Sequence, residues 1–118
     1  MRDNMLSESE MAFAKIVWDN EPVRSGELVK LCSEKLGWKK PTTYTVLRNL
    51  CAAGIFKNED AVVSAVMSLE EYLAQESNQI VNDRFDGSIY KFVTAFADKT
   101  KLSRSQIEEL KKFIEECE

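Results

Sequence analysis

Through most of the chain, apolar residues recur every three or four positions, the spacing of amphipathic helices. The stretch from Trp38 to Gly54 shows it most clearly, with Thr43, Val46, Leu47 and Leu50 on one face. Thr42, Tyr44, Thr45, Arg48 and Asn49 occupy the other face, preceded by Lys39 and Lys40. Pro41 falls in the first turn, where a missing N–H costs nothing, and Gly54 falls where a left-handed residue ends a helix. A helix with an apolar back and a polar, weakly basic front suits a DNA major groove. An ordinary amphipathic surface helix has the same pattern, so this stretch alone leaves both readings open.

Upstream, Ser7 and Glu10 have capping-box spacing, and Leu6 and Met11 that of a hydrophobic staple. They predict a helix to about Trp18 with Met11, Ala14, Val17 and Trp18 inward, broken at Asp19-Asn20-Glu21-Pro22. Val23 suits a short strand. A second helix is expected from Ser25 or Gly26 to Gly37, with Leu28, Leu31, Cys32 and Leu36 as its stripe. The short connection to Pro41 makes the second and third helices a helix-turn-helix.

Beyond Gly54 the pattern turns to strand. Ile55-Phe56-Lys57 and Ala61 to Met67 predict a hairpin turning at Asn58-Glu59-Asp60. Three helices and a hairpin wing make a winged helix over residues 1–67. Ser68 and Glu71 then cap a fourth helix carrying Leu69, Tyr72, Leu73, Ile80 and Val81. After Asp86-Gly87-Ser88, a fifth carries Ile89, Phe92, Val93, Phe96 and Ala97. Ser103 and Gln106 cap a sixth, where Ile107, Leu110, Ile114 and Cys117 form a coiled-coil-like seam. Three short helices make too small a core alone. Pairing residues 68–118 with a second copy in a two-fold dimer is favoured over folding back as a monomer. The expected fold class is mainly α: a winged helix-turn-helix followed by a three-helix dimerisation region.

Composition narrows the chemistry. The 118 residues carry a net charge of −4, unpromising for nucleic acid at first sight. In residues 1–67, however, nine Lys and Arg balance nine Asp and Glu, and the excess acid lies in 68–118. A neutral module can bind DNA through a local patch, with weak affinity for non-specific sequence. There is no histidine, no C-x-x-C pair and no glycine-rich phosphate loop, so neither a zinc site, a cofactor nor an enzyme is expected. Cys32 and Cys51 fall among apolar helix positions and suit a core. No apolar run is long enough to span a bilayer and no secretory signal opens the chain, so a cytosolic protein is expected.

The sequence resembles the penicillinase-repressor family of bacterial transcriptional regulators. The resemblance rests on Leu6-Ser7-Glu8-Ser9-Glu10, Ile16-Val17-Trp18, Pro22-Val23, and Trp38 with Thr42, Thr45, Leu47, Leu50 and Gly54. It continues through Glu70-Glu71-Tyr72-Leu73, Phe85-Asp86-Gly87-Ser88, Leu102-Ser103 and Ile107-Glu108-Glu109-Leu110. It implies a homodimeric winged-helix repressor on palindromic double-stranded operators. In one branch repression is relieved by proteolysis at a bond matching Ala95-Phe96, where Ala95 departs from the usual residue. In a copper-sensing branch a C-terminal cysteine cluster binds metal, and this chain has only Cys117 there. Family members usually carry basic residues at the end of the recognition helix and a longer, basic wing. Here Asn49, Ala52 and Ala53 stand in the helix, and Asn58-Glu59-Asp60 makes the wing short and acidic.

Arg48 is the first candidate for reading a base, with a surface ion pair as its alternative. Thr42, Tyr44 and Thr45 suit phosphates or thymine methyls, with Asn49 beside them. Lys39 and Lys40 suit phosphate, and Ser25 suits either a phosphate contact or a plain N-cap. Leu69, Tyr72, Leu73, Ile80, Ile89, Phe92, Val93, Phe96, Ile107, Leu110 and Ile114 are the expected dimer surface. The reading is a dimeric repressor that occludes a promoter operator. The alternative is a winged helix turned to protein interaction, its DNA binding weakened or lost.

Overall fold

The computed structural model describes residues 5–99 and 101–117. Its elements run α1 (Glu8–Asn20), β1 (Val23–Arg24), α2 (Ser25–Leu36), α3 (Lys40–Ala52), β2 (Phe56–Glu59), β3 (Val62–Ala65), α4 (Leu69–Arg84), α5 (Ile89–Lys99) and α6 (Arg104–Glu116). This is the mainly α winged helix that the periodicity predicts. Two compact units, Met1–Gln79 and Ile80–Glu118, divide the chain, and the division falls within α4.

The helix boundaries follow local chemistry. Ser7 Oγ accepts from the Glu10 backbone N–H while the Glu10 carboxylate accepts from the Ser7 N–H, the expected capping box. Ser68 with Glu71 and Ser103 with Gln106 repeat it at α4 and α6. Gly37 and Gly54 end α2 and α3 at φ 70° and 82°, where a side chain would be strained.

The first unit closes over one core. Phe13, Ala14, Val17, Leu28, Cys32, Leu47, Leu50, Phe56 and Val63 are all buried. Met11 and Trp18 pack against it partly exposed, whereas Phe13 and Ile16, outside the expected stripe, are buried. α1 is covered on more than one side, so its buried face is wider than a single stripe. The sheet is antiparallel in the order β1-β3-β2, with Val23 opposite Val63 and Phe56 opposite Ala65.

The wing corrects one expectation. Asn58 and Glu59 are strand residues, and the turn is the pair Asp60-Ala61 between paired Glu59 and Val62. Both turn residues have positive φ, 52° and 63°. A two-residue turn of that hand matches the right-handed twist of the strands. β3 pairs on both sides, so its register is set by β1 as well as by the loop.

Ala61 bears a side chain in a conformation that costs roughly 1–2 kcal/mol for L-residues, more than the chain entropy a glycine would add. Ala61→Gly should therefore stabilise the chain by up to about 1 kcal/mol. A higher urea midpoint at unchanged slope is the expected signature.

Candidate nucleic-acid interface

α3 presents its polar side outward. Lys40, Thr42, Thr45, Arg48 and Asn49 are exposed, and so is Lys39 at the N-cap position. Behind them Thr43, Leu47 and Leu50 are buried, and Val46 is half-buried against the core. No acid occurs between Glu34 and Glu59, a stretch holding Lys35, Lys39, Lys40, Arg48 and Lys57. The chain is acidic overall, yet the exposed face of this helix carries only positive charge.

Tyr44 differs from its neighbours. It is half-buried, and its hydroxyl donates to Ser25 Oγ at 3.2 Å. The Lys40 ammonium stands 6.0 Å from its ring centroid, the outer limit of a cation–π contact. Ser25 is 8% exposed and is the first residue of α2 rather than its cap. The cap position belongs to Arg24, whose side chain makes no capping bond. Arg24 is exposed beside Ser25 and adds a cation that helical periodicity did not single out, since it lies in the two-residue β1. Its one sequence signal is a basic residue directly before a helix start.

The wing tip is acidic and exposed. Lys57 pairs with Glu59 at 3.4 Å, both largely solvated, so the pair contributes little. Asp60 stands at the turn with no cation paired to it among the described ion pairs.

The expected dimer residues fall into two groups. Leu69, Tyr72 and Leu73 belong to the first unit. There Leu69 is half-buried and Leu73 is exposed. Tyr72 is fully enclosed, its ring 6.1 Å from that of Trp18. Its hydroxyl accepts from the Leu6 N–H at 2.6 Å and donates to the Glu76 carboxylate at 2.8 Å. Tyr72 is thus committed within its own chain. In the second unit Ile80 is half-buried, while Ile89, Phe92, Val93, Phe96, Ile107, Leu110 and Ile114 are exposed. Tyr90 and Phe113 are exposed with them and were not among the expected residues. Phe113 lies one residue before Ile114, outside the strict three-four seam. An apolar hollow of about 220 Å³ lies between α5 and α6, lined by Phe92, Val93, Phe96, Leu102 and Leu110.

Among the described residues, no group of three or more His, Cys, Asp or Glu could hold a metal ion. No helix there is long and apolar enough to cross a membrane. Burial pushes the Cys32 thiol up, against the opposing pull of a hydrogen bond with Thr43, and burial alone pushes up Cys51.

Comparison with known proteins matches residues 6–116 to the penicillinase repressor family. The chain is 25% identical to a penicillinase repressor of Bacillus licheniformis, over 94% of this chain and 90% of that protein. It is 24% identical to the methicillin resistance regulatory protein MecI of Staphylococcus aureus, over 92% of each.

With their pKa values raised, the Cys32 and Cys51 thiols stay protonated at neutral pH, and the protonated form is inert. A disulfide reagent at pH 8 should modify Cys117 rapidly, Cys51 slowly and Cys32 only on unfolding. Thiol release followed with and without denaturant checks that order.

Proposed function

Because the chain belongs to the penicillinase repressor family, a family of transcriptional repressors, we propose that it is a dimeric, sequence-specific DNA-binding repressor. It occludes a palindromic promoter operator so that polymerase cannot bind. The observation that carries this reading is the front of α3: exposed hydroxyl, amide and cationic side chains with no carboxylate among them. Inserted in a major groove, Arg48 has the fork to bind guanine O6 and N7 together. Thr42, Thr45 and Asn49 flank it for methyls, base edges and phosphates. Arg24, Lys39 and Lys40 neutralise phosphates without regard to sequence.

Dimerisation is supported by the second unit. α5 and α6 leave Ile89, Val93, Phe96, Phe113 and Ile114 in water, and burying such surface gains roughly 25 cal/mol per Å². A second copy offers the same apolar faces, and two copies supply the two reading helices a palindrome needs. The contact should centre on residues 89–114, with Tyr72 taking no part.

The exposed acids Glu59 and Asp60 favour a second reading, a winged helix that binds protein. Phosphate would repel them. Mobility shift against random genomic duplexes at low salt separates the two, because only a repressor enriches particular fragments.

On an enriched duplex, Arg48→Ala should cut discrimination at one base of each half-site, an effect of about 1–3 kcal/mol at each. Lys40→Ala should weaken all duplexes evenly and flatten the salt dependence by about 0.9 for each phosphate no longer neutralised. Ile107→Asp with Ile114→Asp should yield monomers in sedimentation while the winged helix keeps its fold.

A further inference from the structure

Three elements meet at Ser25. Its backbone N–H donates to the Ala61 carbonyl in the wing turn at 2.9 Å. Its Oγ accepts from the Tyr44 hydroxyl of α3 at 3.2 Å. Its own position is fixed on both sides, by the first turn of α2 and by Arg24 paired with Val62 in the sheet. We propose that Ser25 and Tyr44 are positioning residues for base reading, through which the wing turn sets the rotation of α3 and so the stance of Arg48. The inference rests on the DNA-binding reading above.

The geometry argues for rotation in particular. α3 is fully buried only along one line, Thr43, Leu47 and Leu50, with Val46 on one side of it and Tyr44 and Cys51 on the other partly covered. Packing that is complete only along that line restrains sliding more than rocking about it. Tyr44 lies about 100° around the helix from Thr43, so its hydroxyl bond acts to one side of that line. Lys40 and Arg48 stand one turn before and one turn after Tyr44, on the flank this bond restrains. Bidentate recognition tolerates misplacement of only about 0.5 Å or 10–20°, so a small rocking motion is enough to spoil it. Ser25 is nearly enclosed, which keeps water from competing for the bond.

This gives the short acidic wing a part in DNA reading. Glu59 and Asp60 are unsuited to touching phosphate, yet the turn beside them acts through a backbone carbonyl. Its contribution is to hold the reading helix steady.

The test uses the full chain and a duplex enriched by the parent protein from a random library. Tyr44→Phe keeps the ring and removes only the hydroxyl. Discrimination at the base read by Arg48 should fall three- to tenfold while the salt slope stays that of the parent. Ser25→Ala should match it, the double variant should be no worse than either single one, and Ser25→Thr should restore discrimination. Parental discrimination in Tyr44→Phe would overturn the proposal. So would an even weakening on all duplexes with a flatter salt slope, which would make Tyr44 a phosphate ligand. If the parent enriches no duplex, the DNA-binding reading fails, and the coupling is then read in the free protein. There Tyr44→Phe should shift the amide resonances of Ser25 and Val62, and shifts confined to α3 would overturn it.

Discussion

The first unit depends on where Phe13 sits. Its ring is wholly buried, stacks on Trp38 at 5.8 Å and meets Phe56 edge-on at 6.4 Å. Those contacts tie α1 both to the connection that leads into α3 and to the first strand of the wing. Trp18, further along α1, continues the line to Phe56 at 5.4 Å and to Tyr72 of α4. Its indole N–H also donates to the Met67 carbonyl at 3.0 Å. Aromatic pairs of this kind add roughly 0.5–1.5 kcal/mol each beyond the area they bury. Against a typical total of about 5–15 kcal/mol, four of them are a substantial share. They also do what aliphatic packing does less well, since ring geometry fixes angles between elements. The outward aim of α3 follows from a ring on α1 against a ring two residues before α3 begins.

Much of this was legible in the sequence, because much of it is local. Ser7 with Glu10, Ser68 with Glu71 and Ser103 with Gln106 are three residues apart, and each pair forms its capping box as the spacing predicts. Gly37 and Gly54 end helices for a reason internal to the residue. What was not legible lies in contacts between distant residues. The turn at Asp60-Ala61 defeats local turn chemistry, because alanine is a poor turn residue and Asn58-Glu59-Asp60 reads as the better loop. The partner strand β1, far back in the chain, pairs with β3 and helps set its register. Tyr44 reads as an outward residue by period, and only Ser25, nineteen positions earlier, shows that its hydroxyl is taken. Tyr72 likewise has the spacing of a helix stripe, yet its ring lies against Trp18 in the winged helix.

The second unit is governed by the opposite condition. No side chain of α6 is buried, although its capping box is intact. A helix of 13 residues is marginal in water by propensity alone, so packing must hold it. The hollow between α5 and α6 has an apolar lining, and exposed apolar residues stand on both helices, the form of a surface awaiting an equally apolar one. In the proposed dimer the two units therefore divide the labour: the first is complete alone and reads, the second is completed by its copy and sets the number of readers.

That division bears on how the proposed repressor, of net charge −4, selects a DNA sequence. A protein with few cations neutralises few phosphates and gains little from the counterions it releases. In the proposed repressor, affinity for arbitrary duplex is then low, and affinity for an operator comes from base contacts and from their duplication by the two-fold. Under that constraint extra lysines on α3 would raise binding everywhere and selectivity nowhere. Holding the few base-reading groups still raises selectivity without raising background. On the proposed reading, the bond from Tyr44 to Ser25, and from Ser25 to the wing turn, is an arrangement of that second kind. It places a neutral, partly enclosed side chain where a more basic reading helix could carry another phosphate contact.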